Sequence, residues 1–152
     1  MGAGKTAAGK ALAARLGCLF IDTDSLIELR ENRKISEIFR QEGEKYFREA
    51  EKEVISAVSP LEGTVIALGG GAMKDSSNVR RLKNGGIIIY LSAEPGIIIK
   101  RIGKTKNRPL LVKRGGSSGE IMKNMFEMLR QRKKYYMKAD YILETSRLGI
   151  PA

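Results

Sequence analysis

The chain opens "MGAGKTAAGK" (residues 1–10), and the reading of Gly2-Ala3-Gly4-Lys5-Thr6 decides the fold. The five residues match the end of a phosphate-binding loop, G-x-x-x-x-G-K-[ST]. In such a loop the backbone N–H groups of a glycine-rich turn, with a helix N-terminus behind them, form a concave anion site. Lys5 would reach the terminal phosphates and Thr6 would ligate Mg²⁺. A plain glycine-rich start with a helix N-cap explains the same five residues about as well, so the rest of the chain has to decide. A phosphate loop joins a strand to a helix. The strand and the first loop glycine are therefore expected upstream of residue 1, in a longer reading frame.

The next elements follow an α/β pattern. Residues 6–16 read as a helix closed by Gly17, and "CLFI" (18–21) reads as a strand that runs into "DTD". "SLIELREN" and "ISEIFRQEG" are helical, with a break at Gly43. Phe47, Ala50, Val54 and Val58 recur at helical spacing across 44–59, and Pro60 stops that helix. "TVIAL" (64–68) is a second strand ending in three glycines. A short helical piece leads to "GIIIYL" (86–91), the third strand. Pro95 opens a helix to about Ile102, a long helix spans about 120–138, and "YILE" (141–144) is the last strand. Strands separated by helices predict a parallel sheet flanked by helices in one domain covering 1–152. The expected upstream strand would be central, and its loss would expose apolar side chains and unpaired backbone groups.

Composition narrows the chemistry. The 152 residues carry 28 Lys and Arg against 17 Asp and Glu, a net charge of +11, which suits an anionic partner. With no histidine, proton transfer falls to carboxylates. The lone Cys18 excludes an internal disulfide and a cysteine-cluster zinc site. No apolar run approaches the roughly 20 residues that span a bilayer, and a cytoplasmic location is expected.

Several residues invite a functional reading. Asp22 and Asp24 lie at a strand's carboxyl end, where open α/β sheets bind ligands. On a continued strand both would point the same way. One could serve the Mg²⁺ hydration shell and the other accept a proton from a substrate hydroxyl, although an aspartate there also caps the next helix. Arg48 and Glu51, at i and i+3, read most simply as a solvated salt bridge. Gly69, Gly70 and Gly71 allow close backbone approach. Lys100, Arg101, Lys104, Lys106, Arg108, Lys113 and Arg114 suit a mobile basic lid over phosphates, about 103–119. The loop offers no aromatic ring for base stacking, which argues against RNA. Arg130, Arg132, Lys133 and Lys134 complement a helix C-terminus, and one could grip a carboxylate.

Taken in order, "MGAGKTAAGKALAARLG", "FIDTD", "IFRQEGEKYFREAE", "LGGGA", "NRPLL" and "RKKYYMKAD" resemble the shikimate kinase family, a group of P-loop kinases. The resemblance implies a P-loop NTPase-like fold and transfer of the ATP γ-phosphoryl group to the 3-hydroxyl of shikimate, in chorismate and aromatic amino-acid biosynthesis. By position, Gly2, Ala3, Gly4, Lys5, Thr6 and Ala7 would cradle the phosphates, with Thr6 and Asp22 serving Mg²⁺. Asp24 would bind ring hydroxyls as the candidate base, in substrate-binding helices spanning about 25–59. Arg48 and Arg132 would hold the shikimate carboxylate, with Arg130 the alternative to Arg132. Gly69, Gly70 and Gly71 would line the ring, and Arg108 would reach the transferred group. Arg101 and Arg147 would lie on the adenine side. The resemblance implies a monomer with ATP and shikimate as its partners, bound to neither nucleic acid nor membrane. Another small-metabolite or nucleotide kinase, such as one for gluconate or a nucleoside monophosphate, shares the loop alone. An impaired ATP-binding fragment and an RNA-binding module are the other readings.

Overall fold

The computed structural model describes residues 2–103 and 118–146, and the chain forms two compact units. One unit is Lys5–Ile88. The other joins Met1–Gly4 to Ile89–Ala152.

In the Lys5–Ile88 unit, α1 (Lys5–Leu16) ends at Gly17, whose φ of +65° is the left-handed turn expected of a helix-closing glycine. The Cys18 N–H then donates back to the Ala13 carbonyl at 2.9 Å. Strand β1 (Leu19–Asp22) follows. Helix and strand touch closely, because a Cβ added to Gly9 would stand 2.6 Å from the Phe20 ring. Three helices come next: α2 (Thr23–Glu31), α3 (Ile35–Gln41) and α4 (Gly43–Val58). Their apolar faces meet in a core of Ile27, Ile38, Phe47 and Val54, with the Phe39 and Phe47 rings 4.7 Å apart. On α4 the buried positions are Phe47, Glu51, Val54, Ile55 and Val58, one stripe of a 3.6-residue helix with a carboxylate set into it.

Strand β2 (Thr64–Ala67) pairs parallel to β1 in a register running from Leu19↔Thr64 to Asp22↔Ala67. The triple glycine leads into a 3₁₀ turn, Ala72–Lys74, and then into α5 (Ser76–Gly85). Asp75 caps α5 by accepting from the Ser77 N–H at 2.7 Å.

In the other unit, β3 (Ile89–Ser92) and β4 (Tyr141–Glu144) pair parallel, from Ile89↔Tyr141 to Ser92↔Glu144. Between them lie α6 (Pro95–Gly103) and α7 (Ser118–Tyr136). Pro95 occupies the first helical position, where its missing N–H costs nothing. The Tyr90 and Tyr136 rings lie 4.9 Å apart. All four residues of β4 are exposed, Tyr141, Ile142 and Leu143 among them.

The α/β reading holds, with four strands among the described residues, as predicted, paired as two two-stranded parallel ladders, one in each unit. Two details differ. The third strand starts at Ile89 rather than Gly86, because α5 runs to Gly85 and the ladder exists only opposite β4. The "short helical piece" is a ten-residue helix, buried through Asn78, Val79 and Leu82. Of the lid expected over about 103–119, residues 104–117, with Arg108, lie outside the described residues, as does Arg147, while Gly103 ends α6 and Ser118 begins α7. Among the described residues no helix is long and apolar enough to cross a membrane.

Candidate active site

The phosphate-loop segment has the backbone its glycines permit. Gly2 and Gly4 take φ of +67° and +86°, conformations that side chains rarely adopt, and Lys5 opens α1. Thr6, one residue into that helix, donates from its hydroxyl to Asp22 Oδ2 at 3.0 Å.

Asp22 and Asp24 divide their work differently from the continued-strand expectation. The strand stops at Asp22, because its Oδ1 accepts from the Asp24 and Ser25 N–H groups at 3.1 and 3.3 Å and so caps α2. Asp22 is thus the capping residue, while its second oxygen faces Thr6. Asp24 lies in the first helical turn and turns toward the glycines. A Cβ added at Gly69 would stand 2.5 Å from Asp24 Oδ1 and 2.9 Å from Glu51 Oε1. Any larger residue would displace one of these carboxyl groups, and the glycine brings bare backbone against both.

Arg48 and Glu51 are not the solvated pair that spacing alone suggested. Glu51 is only 2% exposed and accepts from Arg48 Nη1 at 2.8 Å. The same guanidinium donates through Nε and Nη2 to Glu44, at 3.2 and 3.0 Å, on the solvent side. Burial opposes the Arg48 charge, yet Glu51 and then Glu44 hold its pKa above the ordinary arginine value. A side chain at Gly71 would collide with this guanidinium. Gly69 and Gly71 therefore admit the carboxyl groups of Asp24 and Glu51 on one side and the Arg48 fork on the other.

Beside them opens a cavity of about 310 Å³, lined by Arg48, Glu51, Gly71, Asn78 and the Lys52–Asp75 pair, among others. Lys52 Nζ lies 3.3 Å from Asp75 Oδ2. The Ser77 hydroxyl and backbone, with Lys52, draw the Asp75 pKa down to about 2 against the opposing effect of burial. Asn78, buried, donates to the Ala72 carbonyl at 3.2 Å and so holds the turn that follows the glycines. Neither Asn78 nor the buried Thr23 was singled out from sequence. For Asn78 the available signal was its place on the apolar stripe of α5 with Val79 and Leu82.

In the other unit, Arg101 donates from Nη2 to the Thr145 carbonyl at 2.8 Å, tying α6 to the end of β4. On α7, Arg132 is half-buried, whereas Arg130 is 82% exposed at its side chain and pairs loosely with Glu127.

In the Lys5–Ile88 unit, a hydroxyl and a carboxylate thus meet at the head of α1, and Asp24 and Arg48 both reach the glycine turn. A family model described as "Shikimate kinase" matches residues 1–150. The chain belongs to the shikimate kinase family. A shikimate kinase of Caldanaerobacter subterraneus subsp. tengcongensis is 42% identical over 146 residues, which is 96% of this chain and 82% of that protein. The shikimate kinase of Moorella thermoacetica is 40% identical over 95% of this chain and 80% of its own length. Among solved structures, the Bacteroides thetaiotaomicron shikimate kinase superposes with a TM-score of 0.91 at 36% identity, over 97% of this chain and 84% of that one. The Acinetobacter baumannii enzyme, solved in complex with shikimate, gives 0.89 at 35% identity, over 99% of this chain and 82% of that one. The fold is P-loop NTPase-like, and members of the family are ATP-dependent phosphotransferases.

Proposed function

We propose that this chain transfers the γ-phosphoryl group of ATP to the 3-hydroxyl of shikimate, with Asp24 as the base. The observation that carries the reading is the convergence of Asp24, Glu51 and Arg48 on Gly69 and Gly71 at the carboxyl ends of β1 and β2. A carbocyclic acid needs such an arrangement: hydrogen-bond acceptors for its hydroxyls, a guanidinium for its carboxylate, and backbone approachable from one face.

Each residue then has a task. Gly2, Ala3, Gly4, Lys5, Thr6 and Ala7 hold the phosphates, the amides by direction and Lys5 by charge. Asp24 accepts the proton of the hydroxyl as its oxygen attacks the γ-phosphorus and ADP leaves. Gly69, Gly70 and Gly71 offer backbone groups to the ring. Arg48 grips the shikimate carboxylate, which takes the place of the exposed Glu44 while the buried Glu51 keeps the fork oriented. Arg132 provides the second cation for that carboxylate. Arg108 stabilises the transferring group, and Arg101 and Arg147 lie toward the adenine.

The family requires a divalent metal, and Mg²⁺ suits the donors at hand. Thr6 and Asp22, 3.0 Å apart, are hard oxygen groups. Among the described residues no cluster of three carboxylate, cysteine or histidine side chains could hold an ion by itself. Such a set fits a cation that keeps most of its waters and takes oxygens from the phosphates. When bound, it would neutralise charge between the β- and γ-phosphates. The reading further takes the protein as one monomeric cytoplasmic kinase domain that binds neither nucleic acid nor membrane.

The test is ADP release from MgATP with and without shikimate. Release that depends on shikimate is expected. Release independent of it would overturn the substrate, and release driven by gluconate or a nucleoside monophosphate would support a different kinase. No release would leave an impaired ATP-binding chain.

A further inference from the structure

Thr23 stands between the two aspartates, at the first position of α2. Its side chain is completely buried. The hydroxyl accepts from the Gly69 N–H at 3.0 Å and lies 3.4 Å from the Ala67 carbonyl, to which it donates. The β1–β2 ladder stops at Asp22↔Ala67, so this side chain forms the next rung where backbone pairing has ended.

Two consequences follow from that position. The Gly69 N–H is a buried donor, and without the hydroxyl it would lose this partner, a penalty larger than the net worth of an ordinary hydrogen bond. Gly69 also lies close against the two carboxyl groups, since a Cβ there would stand 2.5 Å from Asp24 Oδ1 and 2.9 Å from Glu51 Oε1. The glycine turn is thus held from one side by Thr23 and limited on the other by the two carboxyl groups. Thr23 itself opens the helix turn that carries Asp24. One hydroxyl therefore fixes the spacing between the candidate base and the backbone against which the substrate ring would lie.

We infer that Thr23 is a positioning residue for shikimate, acting through the Gly69 amide and the first turn of α2. The inference rests on the placement of shikimate at Asp24 and the triple glycine. It takes the hydroxyl, rather than the bulk of the side chain, as the operative group.

The experiment compares Thr23→Val, which keeps shape and removes the hydroxyl, with Thr23→Ser, which keeps the hydroxyl. Affinities for shikimate and for ADP are measured by calorimetry, and kcat and KM alongside. Thr23→Val should weaken shikimate about tenfold while ADP affinity stays within about twofold, and Thr23→Ser should remain within about threefold of the unaltered chain. Equal losses for both ligands, an unchanged shikimate affinity, or a serine variant as impaired as the valine variant would each overturn the inference. Should the valine variant not fold, amide exchange in the unaltered chain decides. A Gly69 N–H protected like those of the β1–β2 ladder supports the bond, and one exchanging as fast as an exposed loop amide removes it. Asp24→Asn measured in parallel separates the two layers. If it leaves shikimate binding and turnover intact, the substrate placement falls and Thr23 with it. If it is impaired while Thr23→Val is not, only the role of Thr23 falls.

Discussion

At the carboxyl end of β1 and β2, a threonine hydroxyl continues the ladder. At the carboxyl end of β3 and β4, another threonine does the same. Thr23 joins the Ala67 carbonyl to the Gly69 amide, and Thr145 donates to the Ser92 carbonyl through both its N–H, at 2.7 Å, and its hydroxyl, at 2.9 Å. Both pairs are parallel and four residues long, so both leave unpaired polar groups at the end where ligands gather in α/β sheets. The surroundings differ. Around Thr23 stand the carboxyl groups of Asp22 and Asp24, over a helical core that buries Ile27 and Ile38 completely. Around Thr145 stands the Arg101 guanidinium, and β4 is exposed along its length. The same backbone need is met by the same side chain. What differs is the charge placed beside it: carboxyl groups in one unit, a guanidinium in the other.

The largest effect that tests this contrast should come from the acid end. Asp24→Asn keeps size and hydrogen-bonding capacity and removes the base. If Asp24 takes the substrate proton, kcat should fall by about 10²-fold or more in steady-state ADP release, with the melting temperature little changed. A drop of less than about threefold would mean that the acid end is structural, as capping already is for Asp22.

Next in size is Arg48→Lys. The substitution keeps a positive charge near the buried Glu51, so it avoids the roughly 3–5 kcal/mol penalty of a buried carboxylate left alone. It loses the planar fork that reaches Glu51 and the solvent side together. The expected outcome is a rise in shikimate KM of about tenfold to a hundredfold, with the ATP KM unchanged. A parallel rise in both would place Arg48 in the scaffold and not in the substrate grip.

How far these residues could be read in advance depends on the range of the interaction concerned. Strand β4 was legible to the residue, because "YILE" is short, apolar and bounded by turn residues. Helix α4 was legible through its 3.6-residue stripe, and Gly17 and Gly43 through their positions at helix boundaries, where both take positive φ. The division of labour between Asp22 and Asp24 was not legible. It depends on where strand gives way to helix, and the two capping bonds to Asp22 moved that point back from the continued-strand expectation. The burial of Glu51 was hidden because i, i+3 spacing looks the same on a wet face and on a packed one. Thr23 was the least visible, since its hydroxyl meets partners 44 and 46 residues away. Local pattern places the elements, while non-local hydrogen bonds decide what their ends can do.

The smallest expected effect belongs to the basic end and completes the comparison. Thr145→Val removes the 2.9 Å hydroxyl bond to Ser92 but leaves the backbone N–H on the same carbonyl at 2.7 Å. Unlike the valine change at Thr23, it strands no buried N–H, because the Ser92 carbonyl keeps a donor. The loss should therefore be near the net value of one hydrogen bond, about 1 kcal/mol in denaturant unfolding. Shikimate affinity should stay within about twofold. If valine at 145 weakened shikimate as much as valine at 23, the two strand ends would not be separable in function. If it moved neither stability nor binding, the hydroxyl rung at this end would be redundant with the backbone one. A modest loss of stability with intact shikimate binding would show that the device is shared and only its neighbours are specialised.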